Sequence, residues 1–202
     1  MTSRQGEAFR DRAFGESDLA ELELKDCRFE RCDFTDVRFR DVVLERCTFS
    51  DCRFAGADLG GLAAHACSFL TCDFRGAIAM LGGLLDDCRM TGSSFTEARI
   101  PGLRILGGDW SLVNLRGLDL RGRQLAGLRL READLSACNL ERADLHGADL
   151  RQAMLAGAHL RGADLRGAEL GGTDLGHLDL TGVRLDAEGA LAVARSLGAI
   201  LD

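Results

Sequence analysis

Eight cysteines are the first candidates for chemistry, at positions 27, 32, 47, 52, 67, 72, 88 and 138. Six of them form C-x4-C pairs, "CRFERC", "CTFSDC" and "CSFLTC", that return every twenty residues. Thiols at fixed spacing can hold a metal, form disulfides or act as nucleophiles. No histidine lies near the pairs, so they are not read as zinc sites. Stacked cysteines would carry parallel β-carbons about 5 Å apart, a poor geometry for a disulfide. His65, His146, His159 and His177 fall at outward positions and form no cluster, and the glycines follow a turn period and build no phosphate loop. No catalytic constellation emerges, and neither a cofactor nor a metal is expected.

Each cysteine stands two residues before a large apolar residue, and this explains the spacing. Stepping by five from Phe9 gives Phe14, Leu19, Leu24, Phe29, Phe34, Phe39, Leu44, Phe49, Phe54, Leu59, Ala64, Phe69 and Phe74. The frame slips by one and resumes at Met90, Phe95, Ile100, Ile105 and Trp110; from Leu115 to Leu185 every fifth residue is leucine. A period of five is neither that of a helix nor that of a strand. A short extended piece followed by a tight turn, repeated four times per coil, accounts for it. Side chains twenty apart then stack: Cys27, Cys47 and Cys67 in one column, Cys32, Cys52 and Cys72 in the next. Cys88 and Ser93 continue the two columns if one residue is inserted. The cysteines are read as small apolar corner fillers beside an axis of phenylalanine and leucine.

Each corner needs two turn residues after the centre. Glycine takes the second of these through most of the later chain, where a type II turn demands positive φ. Before Gly56 that place is held by Asp11, Glu16, Glu21, Asp26, Arg31, Asp36, Asp41, Arg46 and Asp51, which predicts type I-like turns there. Between 103 and 128 the small corner residue is replaced by Leu103, Val113, Leu118, Arg123 and Leu128; Arg123 must either turn outward or meet a carboxylate. Glu7 and Arg12 at the first corners lead residues 1–16 to be read as an N-terminal cap. "LDAEGALAVARSLGAILD" predicts a short helix with Asp186 as N-cap and a stop at Gly198.

The stretch "ADLSACNLERADLHGADLRQAMLAGAHLRGADLRGAEL" closely resembles the A(D/N)LXX consensus of pentapeptide-repeat proteins, over about residues 17–185. The resemblance implies an all-β fold, a right-handed quadrilateral β-helix, here of about nine coils, closed by a short C-terminal α-helix and tail at 186–202. The ending is similar to that of the topoisomerase-protecting members of the Qnr, MfpA and AlbG type. This implies a homodimer through the C-terminus, with Leu191, Ala194, Leu197, Ile200 and Leu201 in the contact. It also implies a non-enzymatic DNA mimic that binds DNA gyrase or topoisomerase IV and protects it from poisoning antibiotics, as a resistance or self-immunity factor. The alternative is a scaffold that binds an unrelated protein.

The formal charge of −7 and pI near 5.2 argue against direct nucleic-acid binding. No apolar run reaches the roughly 18 residues of a membrane span, and the start of the sequence is charged throughout, so the expected compartment is cytoplasmic. The frame slip in "RGAIAMLGGLLDDC" reads as a simple one-residue bulge; the resemblance to Qnr members, which carry enzyme-touching loops here or nearby, implies the other reading, a partner contact by Ile78, Met80, Leu81, Leu84, Asp86 and Asp87.

Overall fold

The computed structural model describes residues 2–15, 19 and 22–200. The chain divides into two compact units, 1–109 and 110–202, and each is a parallel β-solenoid. In the first unit, five-residue steps turn through four sides. Two sides carry strands. One holds β1 (Thr2–Gln5), β3 (Leu22–Lys25), β5 (Val43–Glu45), β7 (Ala63–His65), β9 (Leu84–Arg89) and β10 (Arg104–Asp109) in order of pairing. The second holds β2 (Ala8–Arg10), β4 (Arg28–Glu30), β6 (Thr48–Ser50) and β8 (Ser68–Leu70), and β9 reaches it at Arg89. The other two sides are ladders of single bridges, Asp33↔Arg53↔Asp73↔Ser94 and Arg38↔Asp58↔Ile78↔Arg99.

The frame slip is real and local. Asp58 pairs with Ile78 at a step of twenty, Ala63 pairs with Leu84 at twenty-one, and the step returns to twenty at Leu84↔Arg104. The extra residue therefore sits in the corner at 80–83, where Gly82 and Gly83 have φ of 109° and 102°. Residues 2–10, expected as a cap, join the ladder in register with β3 and β4. At this open end the Arg12 guanidinium lies 4.7 Å from the Phe14 ring centroid and itself stays exposed.

Phenylalanine fills the axis of the first unit as two columns. Phe29, Phe49 and Phe69 stack at 4.5 and 4.8 Å. Phe34, Phe54, Phe74 and Phe95 stack at 4.8, 4.6 and 4.6 Å, and the columns meet edge to face. In the second unit the axis is leucine from Leu115 to Leu175, with alanine at most corners, all buried. The bulky corner residues Leu103, Val113, Leu118 and Leu128 also point inward, and Arg123 is half-buried.

The cysteines are buried as expected but do more than fill space. Cys47 Sγ donates to the Leu24 carbonyl at 3.3 Å and Cys52 Sγ to that of Phe29 at 3.5 Å, each in the preceding coil. Cys67 Sγ accepts from Cys47 N at 3.3 Å, Cys52 Sγ from Cys32 N at 3.4 Å, and Ser93 Oγ from Cys72 N at 3.0 Å. At Val37, Ala57 and Ala77 the corner N–H instead closes back on the carbonyl three residues earlier. Regular strands mark about five coils, all in the first unit, and not the nine expected along the chain. In the second unit the twenty-residue step survives as isolated bridges such as Gln124↔Asp144↔Asp164↔Arg184.

The expected type I turns are not found. Asp26, Arg31, Asp36, Asp41, Arg46 and Asp51 all adopt left-handed φ, between 49° and 58°, as Gly56 does at 66°; Glu16 and Glu21 lie outside the described residues. The cause is the ladder. The N–H at this place must reach the next coil, as Asp36 N does to Ala55 O at 2.9 Å and Gly56 N to Arg75 O at 2.9 Å. The chain must also turn the corner immediately afterwards, and the residue follows the coil. Aspartate tolerates this region better than most. Leu112, with φ 60° and 53% exposure, gains nothing to compensate. Leu112→Gly is expected to stabilise the protein by about 0.5–1 kcal/mol, read as a raised midpoint of thermal unfolding.

The C-terminal helix, α1 (Ala187–Ser196), begins as expected: Asp186 Oδ1 accepts from Gly189 N at 2.9 Å. Its other oxygen accepts from Gly167 N, which ties the helix start to the coil. Ser196 Oγ donates to Thr173 O at 3.3 Å, and Gly198 follows the helix with φ 83°.

Candidate partner-contact surface

The six residues proposed around the frame slip do not share one face. Ile78 lies on the side carrying Arg38, Asp58 and Arg99; Met80 and Leu81 project from the corner that follows it, 56% and 92% exposed. Leu84 and Asp86 belong to β9 on the next side, and Asp87 stands exposed at the corner beyond. Asp86 is engaged: its Oδ2 lies 3.0 Å from His65 Nδ1. Ile78, Met80 and Leu81 come together around a cleft of about 260 Å³, completed by Arg38, Arg40, Asp58, Gly60 and Gly61. Sequence reasoning missed the cleft, although Gly60-Gly61 at a corner where neighbouring coils carry large side chains was the available signal.

Many acids are neutralised within the protein. Arg31 forms a two-point bond to Asp11 at 2.7 and 2.8 Å, Arg46 one to Asp26 at 2.8 and 3.0 Å, and Lys25 meets Glu45 at 2.8 Å. The Arg31 and Arg46 guanidiniums hold the Asp11 and Asp26 carboxyls below the usual range, and Lys25 does the same to Glu45. In the second unit the aspartates of the repeat motif turn back on their own corners: Asp134 accepts from Ser136 N at 2.9 Å and Asp149 from Arg151 N at 3.1 Å. Among the described residues of the first unit, Asp36, Asp41, Asp51, Asp87 and Glu97 are exposed carboxylates that no basic side chain pairs with.

The C-terminal end presents Leu191 on α1, and Leu197 and Ile200 beyond it, to solvent at 37%, 67% and 91% exposure, and Ala194 on α1 is half-buried. Leu201, the fifth candidate, lies outside the described residues. Among the described residues no group of three or more His, Cys, Asp and Glu side chains is placed to hold a metal ion. Burial pushes the Cys27 and Cys32 thiols up, and that of Cys138 to about 11, away from nucleophilic thiolate. No helix among the described residues is long and apolar enough to cross a membrane.

Residues 114–152 and 143–182 match the family model of pentapeptide repeats, and residues 3–74 match that of the SV2A/B/C luminal domain. No curated protein matches the chain in sequence. Among solved structures, the chain is similar to QnrB1, a plasmid-mediated fluoroquinolone resistance protein. A trypsin-treated variant of QnrB1 superposes with a TM-score of 0.71 at 23% identity, over 98% of this chain and 99% of that one. Full-length QnrB1 gives 0.69 at 22% identity, over 98% and 100%. HetL, a pentapeptide-repeat protein of the cyanobacterium Nostoc, gives 0.48 at 21% identity, over 91% and 86%. Residues 114–182 are pentapeptide repeats by the family match, and the five-residue period and four-sided parallel coils carry the fold shared with QnrB1 over nearly the whole chain.

Proposed function

We propose that this protein binds a type II topoisomerase, DNA gyrase or topoisomerase IV, and protects it from a poisoning antibiotic, as a resistance or self-immunity factor without chemistry of its own. The observation that carries the reading is the superposition on QnrB1 over 98% of the chain, since QnrB1 is a fluoroquinolone resistance protein. Three features of this chain support it. The exposed carboxylates Asp36, Asp41, Asp87 and Glu97 offer charge to a DNA-binding surface. Met80 and Leu81 offer an apolar contact beside the cleft. Leu191, Leu197 and Ile200, with Ala194 and Leu201, provide the apolar ending through which two copies would join.

The test is a gyrase supercoiling assay with and without ciprofloxacin. Micromolar protein is expected to restore supercoiling in the poisoned reaction, and Met80→Ala with Leu81→Ala is expected to lose at least half of that rescue. If neither the poisoned nor the unpoisoned reaction responds, the topoisomerase reading is wrong and a scaffold for another protein takes its place.

A further inference from the structure

The cleft beside the slipped corner has its origin in the sequence. Successive coils place Arg40-Asp41, Gly60-Gly61 and Met80-Leu81 at this corner, so side chains stand on both sides of a gap one coil wide. Gly61 cannot fill the gap: a Cβ there would lie 2.9 Å from Asp41 N and 3.0 Å from Phe39 O. The walls of the resulting 260 Å³ are chemically unlike. Met80 and Leu81 supply exposed apolar surface on one side. Arg40 supplies an exposed guanidinium on the other, and among the described residues no carboxylate meets it. Asp58 also lines the cleft, but its Oδ1 already accepts from Gly60 N at 2.9 Å.

We infer that the cleft seats an acidic segment of a partner protein, one apolar side chain entering between Met80 and the Gly60-Gly61 floor while a neighbouring carboxylate meets Arg40. The inference rests on the reading that residues 78–81 contact a partner, and it specifies the chemistry of that contact. Charge complementarity argues for the acidic occupant. The chain carries −7 overall, so a basic segment would be drawn to many of its surfaces. An acidic one is repelled in general and rewarded where a cation borders apolar surface. The guanidinium fork also binds a carboxylate through two parallel bonds, which fixes the segment's direction. The contact is thus opposite in sign to mimicry of DNA and must meet a part of the partner other than a basic DNA-binding surface.

The probe is a fluorescein-labelled peptide of alternating glutamate and leucine, with a serine–leucine peptide of equal length as reference, followed by anisotropy at low salt. The glutamate peptide is expected to bind at least tenfold more tightly than the serine peptide. Arg40→Glu is expected to weaken it at least tenfold, Arg40→Lys less, and Met80→Ala with Leu81→Ala at least fivefold. All three side chains are exposed, and unchanged thermal midpoints would show that the variants fold. Equal binding of the two peptides, or equal binding of the glutamate peptide to Arg40→Glu and to the parent, overturns the inference. The gyrase assay separates this from the broader reading. Rescue of gyrase that Arg40→Glu leaves intact would remove the acidic occupant and keep the topoisomerase. Arg40-dependent peptide binding without any effect on gyrase would keep the cleft and remove the topoisomerase.

Discussion

Phe49→Ala is expected to destabilise the first unit by about 3–5 kcal/mol. The ring is 1% exposed and stacks on Phe29 at 4.5 Å and Phe69 at 4.8 Å, with planes 3° and 5° apart. It also meets Phe34 and Phe54 edge to face at 5.8 and 5.6 Å. Truncation removes four aromatic contacts together and leaves a void inside a coil whose backbone is held by hydrogen bonds from above and below. Thr48 N donates to Cys27 O and Ser68 N to Cys47 O, both at 2.9 Å, so the walls cannot close in. Phe9→Ala is the internal comparison. Phe9 is only half-buried and has one stacked neighbour, Phe29 at 5.0 Å, so its loss should cost less than half as much. Phe49→Leu should retain most of the stability, because leucine fills the axis of the second unit from Leu115 to Leu175. Guanidinium unfolding of the three variants measures all of this, and similar losses for Phe9→Ala and Phe49→Ala would contradict the packing account.

The five-residue period made the fold legible because it is a packing requirement that recurs at every coil. No single residue carries it, so the substitution of Ala64 or the inserted residue at 80–83 did not hide it. Local geometry was less legible. Reading aspartate and arginine at the second turn position as signs of a type I turn treated the residue as the cause, whereas the inter-coil hydrogen bonds impose left-handed φ on Asp36 and Gly56 alike. The thiols misled in a similar way. Read by size they are fillers, and only the placement of Cys67 Sγ on Cys47 N shows that they also accept corner N–H groups between coils. At the candidate surface the frame slip drew attention to the right corner but not to its limits. Linear sequence placed Ile78 and Asp86 eight residues apart, and the corner between them turns them onto different sides. The cleft is made by the absence of side chains at Gly60 and Gly61 in one coil, flanked by Arg40 and Met80 in two others. It is legible only once residues twenty apart are set side by side.

Gly108→Ala is expected to cost about 3 kcal/mol or more, and its neighbour Gly107→Ala only about 1 kcal/mol, although both glycines have positive φ. Gly107, with φ 69°, occupies the second turn position, and a Cβ there would meet nothing within 4 Å; alanine pays only for the left-handed backbone, as Ala66 and Ala137 already do. Gly108, with φ 104°, continues the column of Cys27, Cys47, Cys67 and Cys88 and pairs with Cys88 in the β9–β10 ladder. A Cβ there would lie 2.1 Å from Cys88 O and 2.9 Å from Cys88 N. These are backbone atoms of a residue whose thiol is itself bonded to Ala64 O at 3.4 Å, so the obstacle cannot swing aside. Relief requires β10 to move off β9, which breaks pairing from Arg104 to Asp109. Amide hydrogen exchange should therefore show loss of protection across Arg104–Asp109 in Gly108→Ala and near-parent protection in Gly107→Ala. Equal destabilisation of the two variants would mean that φ alone sets the cost, and that the close approach of successive coils at this corner does not constrain the sequence.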